Sequence, residues 1–190
     1  ANELVTQKVQ VEFGSEPNVQ IYREVLIVRE QVGVPDVETF KAQNKEYRGV
    51  VFKRRKDGKV YTVSTDIDIL ALEEVAGQKG RVRSLEEVKS GERDRPKDAN
   101  DQLDTTQKRL KELADGDSTV RLLQGGMEGT DITSKIDATT GSGAQRRTWG
   151  PANGKKFDKS MEVTTRDLDK LAKELIQEHA AKQPNGDGHE

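Results

Sequence analysis

The sequence contains no cysteine. A disulfide framework and a thiolate metal site are therefore both excluded, while cytosolic work and passage through an oxidising space both remain open. Its two histidines, His179 and His189, are late and isolated, so a metal centre built on clustered histidines is excluded too. No Ser-His-Asp arrangement stands out, and nucleophilic catalysis has no candidate. No run of about 18 apolar residues occurs, so no membrane span is expected. "GSG" at 141–143 lacks the Lys-Ser/Thr ending of a phosphate loop and reads as a flexible linker. A strong charge of one sign is also missing. The formal net charge is -2, so nucleic-acid binding would have to come from a local basic patch. No secretory signal pattern is seen, and the chain opens on Ala1 without an initiator Met, as expected of a fragment or processed product.

What remains is a lean, polar chain of 190 residues, 32% apolar and 35% charged. That suffices for one domain with one modest core and polar tails. "QKVQVEF" at 7–13 alternates and predicts a strand. "VQIYREVLIVREQVG" has the β-branched content of a strand and the length and Glu/Arg spacing of a helix, and stays open between the two. "VPDVETFKAQNKEY" predicts a short helix with Pro35 and Asp36 at its start. "YRGVVFKRR-KDGK-VYTVSTDIDILALEEV" predicts a β-hairpin turning at Asp57-Gly58, and "RVRSLEEVKS" a third strand. A helix is expected over 98–114, with Leu103, Leu110 and Leu113 as its stripe, and a short strand at "STVRLL". Residues 124–160 read as long loops with one strand. "TTRDLDKLAKELIQEHAAK" predicts an amphipathic helix that packs Leu168, Leu171 and Leu175 on the core, and residues 183–190 a flexible tail.

One tripeptide carries chemistry: Glu87-Val88-Lys89. Glu-x-Lys alone is uninformative, since on the order of one is expected by chance in such a chain. Its context is more specific. In a strand, Glu87 and Lys89 share a face, opposite Val82 and Val88. One strand earlier, "TDIDIL" puts Asp66 and Asp68 on one face and Ile67 and Ile69 on the other. Paired strands would bring these acids together. Carboxylates with open coordination suit a hard divalent cation, and a neighbouring lysine can orient a water or steady developing negative charge.

"DIDIL", "LEEVKSG" and "DQLDTTQKRL" together resemble the PD-(D/E)xK nuclease superfamily. The resemblance covers roughly residues 36–114. It implies a restriction-endonuclease-like α/β (α+β) fold, a mixed β-sheet flanked by helices in the order αβββαβ. It implies phosphodiester hydrolysis with Mg²⁺, or Mn²⁺ or Zn²⁺ in its place. Asp68 matches the motif's first acid, Glu87 its second and Lys89 its lysine, with Asp66 as an alternative or additional ligand. Family members add a glutamate from the first helix, for which Glu38 is the choice, with Glu24 and Glu46 as rivals. Gln102 corresponds to a helix glutamine found in a subset. The sequence departs from the pattern in having no proline before Asp68. The expected division is an N-terminal extension over 1–35, a nuclease domain over 36–182 and the tail.

Many small, cysteine-poor members of this superfamily are C-terminal toxin domains of contact-dependent inhibition or Rhs-type bacterial carriers. By that analogy the chain is secreted or delivered into a target-cell cytoplasm, and otherwise cytoplasmic. Its substrate is DNA or tRNA, and an immunity protein with acidic residues is a partner. Basic residues for nucleic-acid contact are expected at the hairpin tip, Arg54 and Arg55. A second set is expected in "RRTWGPANGKK": Arg146, Arg147, Lys155 and Lys156 around Trp149.

Each of these has a plainer reading. The charged strand face can be a solvated sheet edge that discourages aggregation, and the lone Trp can be a packing anchor. The whole chain can be a non-enzymatic α+β binding or structural module, such as a phage or adaptor protein. "TDID" also suits cyclases and nucleotidyltransferases, although the Gly-Ser signature ahead of the acids is missing. Convergence of Asp68 and Glu87 on one point separates these readings, because a binding module gives them no reason to meet.

Overall fold

The structure is a computed structural model that describes residues 2–33, 48–91, 93–151, 156–161 and 165–182. In chain order its elements are α1 (Asn2–Glu12), β1 (Val19–Gln31), β2 (Val51–Lys53), β3 (Val60–Glu73), β4 (Gly80–Val88), α2 (Pro96–Ala114), β5 (Val120–Gln124), β6 (Thr130–Asp131), β7 (Ile136–Asp137), β8 (Gln145–Gly150), β9 (Lys159–Ser160) and α3 (Thr165–Lys182). The fold class is α+β, with one mixed sheet of nine strands. The sheet runs β6-β5-β1-β3-β4-β8-β9, with β2 beside β3 and β7 beside β4. β1, β3 and β4 form an antiparallel meander, and β8 returns parallel to β4 after α2. The residues that carry the resemblance, 36–114, supply β2, β3, β4 and α2 among those described, while α1 and β1 precede them and β8 follows after β5, β6 and β7. No described helix is long and apolar enough to cross a membrane.

Two apolar clusters make this a three-layer structure. On one face, Leu103 and Leu110 of α2 pack with Val25, Ile27, Ile67, Leu70, Leu72, Val82 and Leu85. On the other, Val5, Val9 and Phe13 pack with Ile69, Ala71, Val88 and Trp149. A third cluster, with Phe52, Tyr61 and Val63, sits under the hairpin.

The N-terminal segment differs from expectation in two ways. Residues 7–13 are largely helical rather than strand, because Val5, Val9 and Phe13 fall four apart and form one buried stripe. The alternation of Val9, Val11 and Phe13 is too short a window to separate the two periods. Second, the segment expected as an N-terminal extension or accessory segment contains β1, an interior strand paired with both β3 and β5. Its run of four buried residues, Val25 to Val28, is what a strand covered on both faces requires.

The hairpin and third strand form as expected. The hairpin turn is closed by the Arg54 N–H donating to the Lys59 carbonyl at 2.8 Å, with Gly58 at φ 68, where a Cβ would be costly. The helix expected at 34–47 lies outside the described residues, as do Glu38 and Glu46. Residues 124–160 hold more than one strand, and β8 is a main strand of the sheet. In α3 the side chains of Leu168 and Leu171 are outside the described part, and Leu175 is exposed rather than packed.

Candidate metal centre at a fork between strands

The candidate site lies where β3 and β4 part. Their ladder ends at the pair Ile69↔Glu86. Beyond it β4 stays with β8, through Glu87↔Thr148 and Val88↔Trp149, while β3 stays with β1, through Ile67↔Val25 and Asp66↔Leu26. The last β4–β8 link is the Lys89 N–H donating to the Trp149 carbonyl at 2.9 Å. Val88 N–H, which a continued β3 ladder would occupy, instead donates to Asp68 Oδ2 at 2.7 Å.

Into this gap point three acids. Asp66, Asp68 and Glu87 each offer a carboxylate oxygen, and these oxygens lie within 4.8 Å of one another. Glu87 is 2% exposed and Asp68 is 9% exposed, while Asp66 is half-buried. Burial pushes the Glu87 carboxyl up to about 11, and the nearby charges of Asp68 and Asp66 add to the rise while Lys89 opposes it. Burial likewise raises Asp66 to about 6, with the charge of Asp68 adding and that of Lys89 opposing. At neutral pH the metal-free cluster therefore holds a proton, because burying converging carboxylates is costly and the single charge of Lys89 offsets only part of it.

The donor set fits a hard cation. It contains only carboxylate oxygens, with no imidazole or thiolate, which suits Mg²⁺ or Mn²⁺ and suits Zn²⁺ less well. Lys89 is half-buried and follows Glu87 by two residues. Its charge acts on both Asp66 and Glu87.

The geometry of β3 departs from simple alternation. Ile67 joins the cluster under α2, but Ile69 joins the one under α1. The expectation that these isoleucines share a face is therefore corrected: the strand changes faces at Asp68. Val82 and Val88 are likewise split between the two clusters, because the pairs Ala71↔Ser84 and Leu72↔Val82 leave Arg83 as an extra residue in β4.

Other residues of interest are placed as follows. Gln102 lies on α2, with its Oε1 buried and without a hydrogen-bond partner. Glu24 is exposed on β1, at the register position facing Asp68. Thr148, paired in register with Glu87, is 1% exposed and held by Asp158, whose Oδ2 accepts its N–H at 2.9 Å.

Several residues expected to touch nucleic acid have partners within the fold. Arg54 is buried and donates to Asp57 at 3.0 Å and to the Gly129 carbonyl, which staples the hairpin tip to the turn before β6. Arg147 is buried between Glu86 and Glu12, donating to both. Trp149 is 4% exposed and packs under α1, so its ring has no face for a base. Arg146 donates to Asp104 at 2.6 Å and to Gln107 at 2.9 Å, tying β8 to α2. Arg55 and Lys156 are exposed, and Lys155 lies outside the described residues. The Glu12–Arg147–Glu86 set was not anticipated. Its only signal in the sequence is the first glutamate of "EEVK", which alternation turns to the face opposite Glu87.

No protein-family model, curated protein or solved structure matches this chain at a significant level. The site must therefore be read from its own chemistry.

Proposed function

We propose that the chain is a metal-dependent phosphodiester hydrolase, a nuclease acting on DNA or tRNA. The observation that carries this reading is the meeting of Asp66, Asp68 and Glu87 at the fork, with Lys89 two residues beyond Glu87. A solvated sheet edge would spread these charges into water. Here two of the three acids are buried where nothing among the described residues neutralises them all. Such an arrangement is costly in the free protein and is retained where a site requires it.

Asp68 and Glu87 would hold Mg²⁺ or Mn²⁺, with Asp66 completing the acidic set. A cation bound there supplies an acidified water and charge neutralisation at the phosphate. Lys89 orients the attacking water or steadies the charge that develops on the scissile phosphate. Among the described residues, exposed Lys53, Arg55, Lys56 and Lys156 are candidates for backbone phosphates. On the toxin reading, an immunity protein would present acidic residues to these same cations.

The test is cleavage of supercoiled plasmid and of tRNA with Mg²⁺ or Mn²⁺, comparing wild type with Asp68→Asn, Glu87→Gln and Lys89→Ala. Cleavage by wild type that each substitution abolishes supports the reading. Equal cleavage by all four proteins points to a contaminant and removes it.

A further inference from the structure

Glu24 has φ 52, and among the described residues it is the only non-glycine with positive φ. It sits in the middle of β1. The neighbouring pairs Arg23↔Ile69 and Val25↔Ile67 are in register, but Glu24 and Asp68 between them do not form a ladder pair. The Glu24 carbonyl accepts instead from Gly125 N–H at 3.1 Å, on the β5 side.

Both strands change faces at this level. Before it, Tyr22 of β1 packs against the cluster under α2, together with its partner Leu70. After it, the odd-numbered Val25 and Ile27 occupy that cluster, together with Ile67. Ile21 and its partner Ala71 lie on the opposite face. Glu24 and Asp68 are one residue each between the paired positions, so the faces exchange without an insertion, and the left-handed backbone of Glu24 is the irregularity at that level. β3, paired to β1 on both sides of the irregularity, switches with it, and Asp68 is the residue at the switch.

We propose that Glu24 is a positioning residue: its left-handed backbone imposes the face switch that turns Asp68 out of the ladder and toward Val88 N–H, Asp66 and Glu87. Its side chain is not required for this. The inference rests on the proposed metal site, but its structural half can be read without metal.

The test uses the full chain with Glu24→Gly, Glu24→Asn, Glu24→Ala and Glu24→Val. Glycine and asparagine accept positive φ readily, alanine keeps the conformation without the carboxylate, and a β-branched residue resists it. Two readouts are taken where circular dichroism shows a folded protein: Mn²⁺ affinity by calorimetry, and hydrogen exchange of the Val88 amide in the metal-free protein. The Gly, Asn and Ala variants should keep Mn²⁺ affinity within about twofold, and Glu24→Val should weaken it by about tenfold or more, as loss of a supporting shell does. Glu24→Val should also lose Val88 protection while Leu70 and Leu85 keep theirs. Wild-type behaviour of Glu24→Val in both readouts overturns the proposal. So does a loss shared by Glu24→Ala and Glu24→Gly, which would assign the role to the carboxylate and keeps the test decisive if the valine variant does not fold. A wild type that binds no Mn²⁺ refutes the metal site, and Val88 exchange then still decides the positioning role.

Discussion

Asp68 bridges the parting strands: its Oδ2 accepts Val88 N–H at 2.7 Å, across the gap where a backbone carbonyl would otherwise sit. The residue thus has a backbone to satisfy and a charge to contribute, and two substitutions separate these. Asp68→Asn keeps an acceptor for Val88 and loses the charge. We expect it to fold, to be at least as stable as wild type without metal, and to lose Mn²⁺ binding and cleavage. Asp68→Ala orphans a buried N–H and should cost about 1–3 kcal/mol in addition. Urea denaturation with and without Mn²⁺ distinguishes the two; equal stabilities would show that the bond to Val88 is not structural.

The raised acids set a pH dependence whose sign can be worked out. Glu87 moves from an ordinary 4.5 to about 11 on folding, so between those values the folded protein binds more protons than the unfolded chain. Metal-free stability is then greatest below about 4.5 as far as Glu87 is concerned and falls as pH rises toward 11. At pH 7 this linkage amounts to about 3 kcal/mol. Glu87→Gln removes it, so chelator-treated Glu87→Gln should melt higher than wild type at pH 8, with the gap closing toward pH 5. The same protons must leave when a cation binds, so Mn²⁺ affinity should climb with pH and calorimetry in buffers of different ionisation enthalpy should detect proton release. A wild-type melting curve that is flat across pH 5–9, matching Glu87→Gln, would rule this out.

Lys89 opposes the rise of both acids. Lys89→Ala should therefore shift the pH midpoint of Mn²⁺ binding upward. On the proposed mechanism it should lower cleavage by about 10²-fold or more at saturating metal, corresponding to about 3 kcal/mol of lost transition-state stabilisation. Lys89→Arg keeps the charge and should restore the midpoint without restoring the full rate, because a planar guanidinium does not replace a compact ammonium. Restoration of both would reduce Lys89 to a source of charge.

The legible part of this protein is the part where one period dominates. The hairpin with its Asp-Gly turn, the strand ending in Glu87-Val88-Lys89, and the Leu103–Leu110 helix all follow from local pattern. Asp66, Asp68 and Glu87 could be named because they recur at a spacing that strands convert into proximity. Hidden were features made by interruption or by distance. The face switch at Asp68 depends on one backbone angle in β1, which no side-chain pattern records. The role of β8 emerges only when residues 145–150 are laid parallel to β4, some sixty residues earlier in the chain. Basic residues were the most misleading, since Arg54 and Arg147 carry the composition of a phosphate-binding surface and are buried against carboxylates and a carbonyl.

That last distinction yields a prediction of its own. Arg147 is 4% exposed and Glu86 is 0% exposed, so their ion pair is shielded from solvent. Removing one partner leaves the other charge buried and unpaired, which costs about 3–5 kcal/mol. Arg147→Ala should lower the melting temperature sharply, and Trp149→Ala, which empties the layer between β8 and α1, should cost a similar amount through its cavity. Arg55→Ala and Lys156→Ala remove exposed cations and should change stability by less than about 0.5 kcal/mol. If the chain binds nucleic acid, the order reverses when affinity is measured. Substituting the exposed pair should weaken binding and flatten its dependence on salt, the slope falling by about one for every phosphate that is no longer neutralised. Folded Arg147→Ala should keep the wild-type slope. Titrations of a labelled oligonucleotide at several salt concentrations make the comparison. A reduced slope in Arg147→Ala would return that residue to the binding surface, against its burial between Glu12 and Glu86.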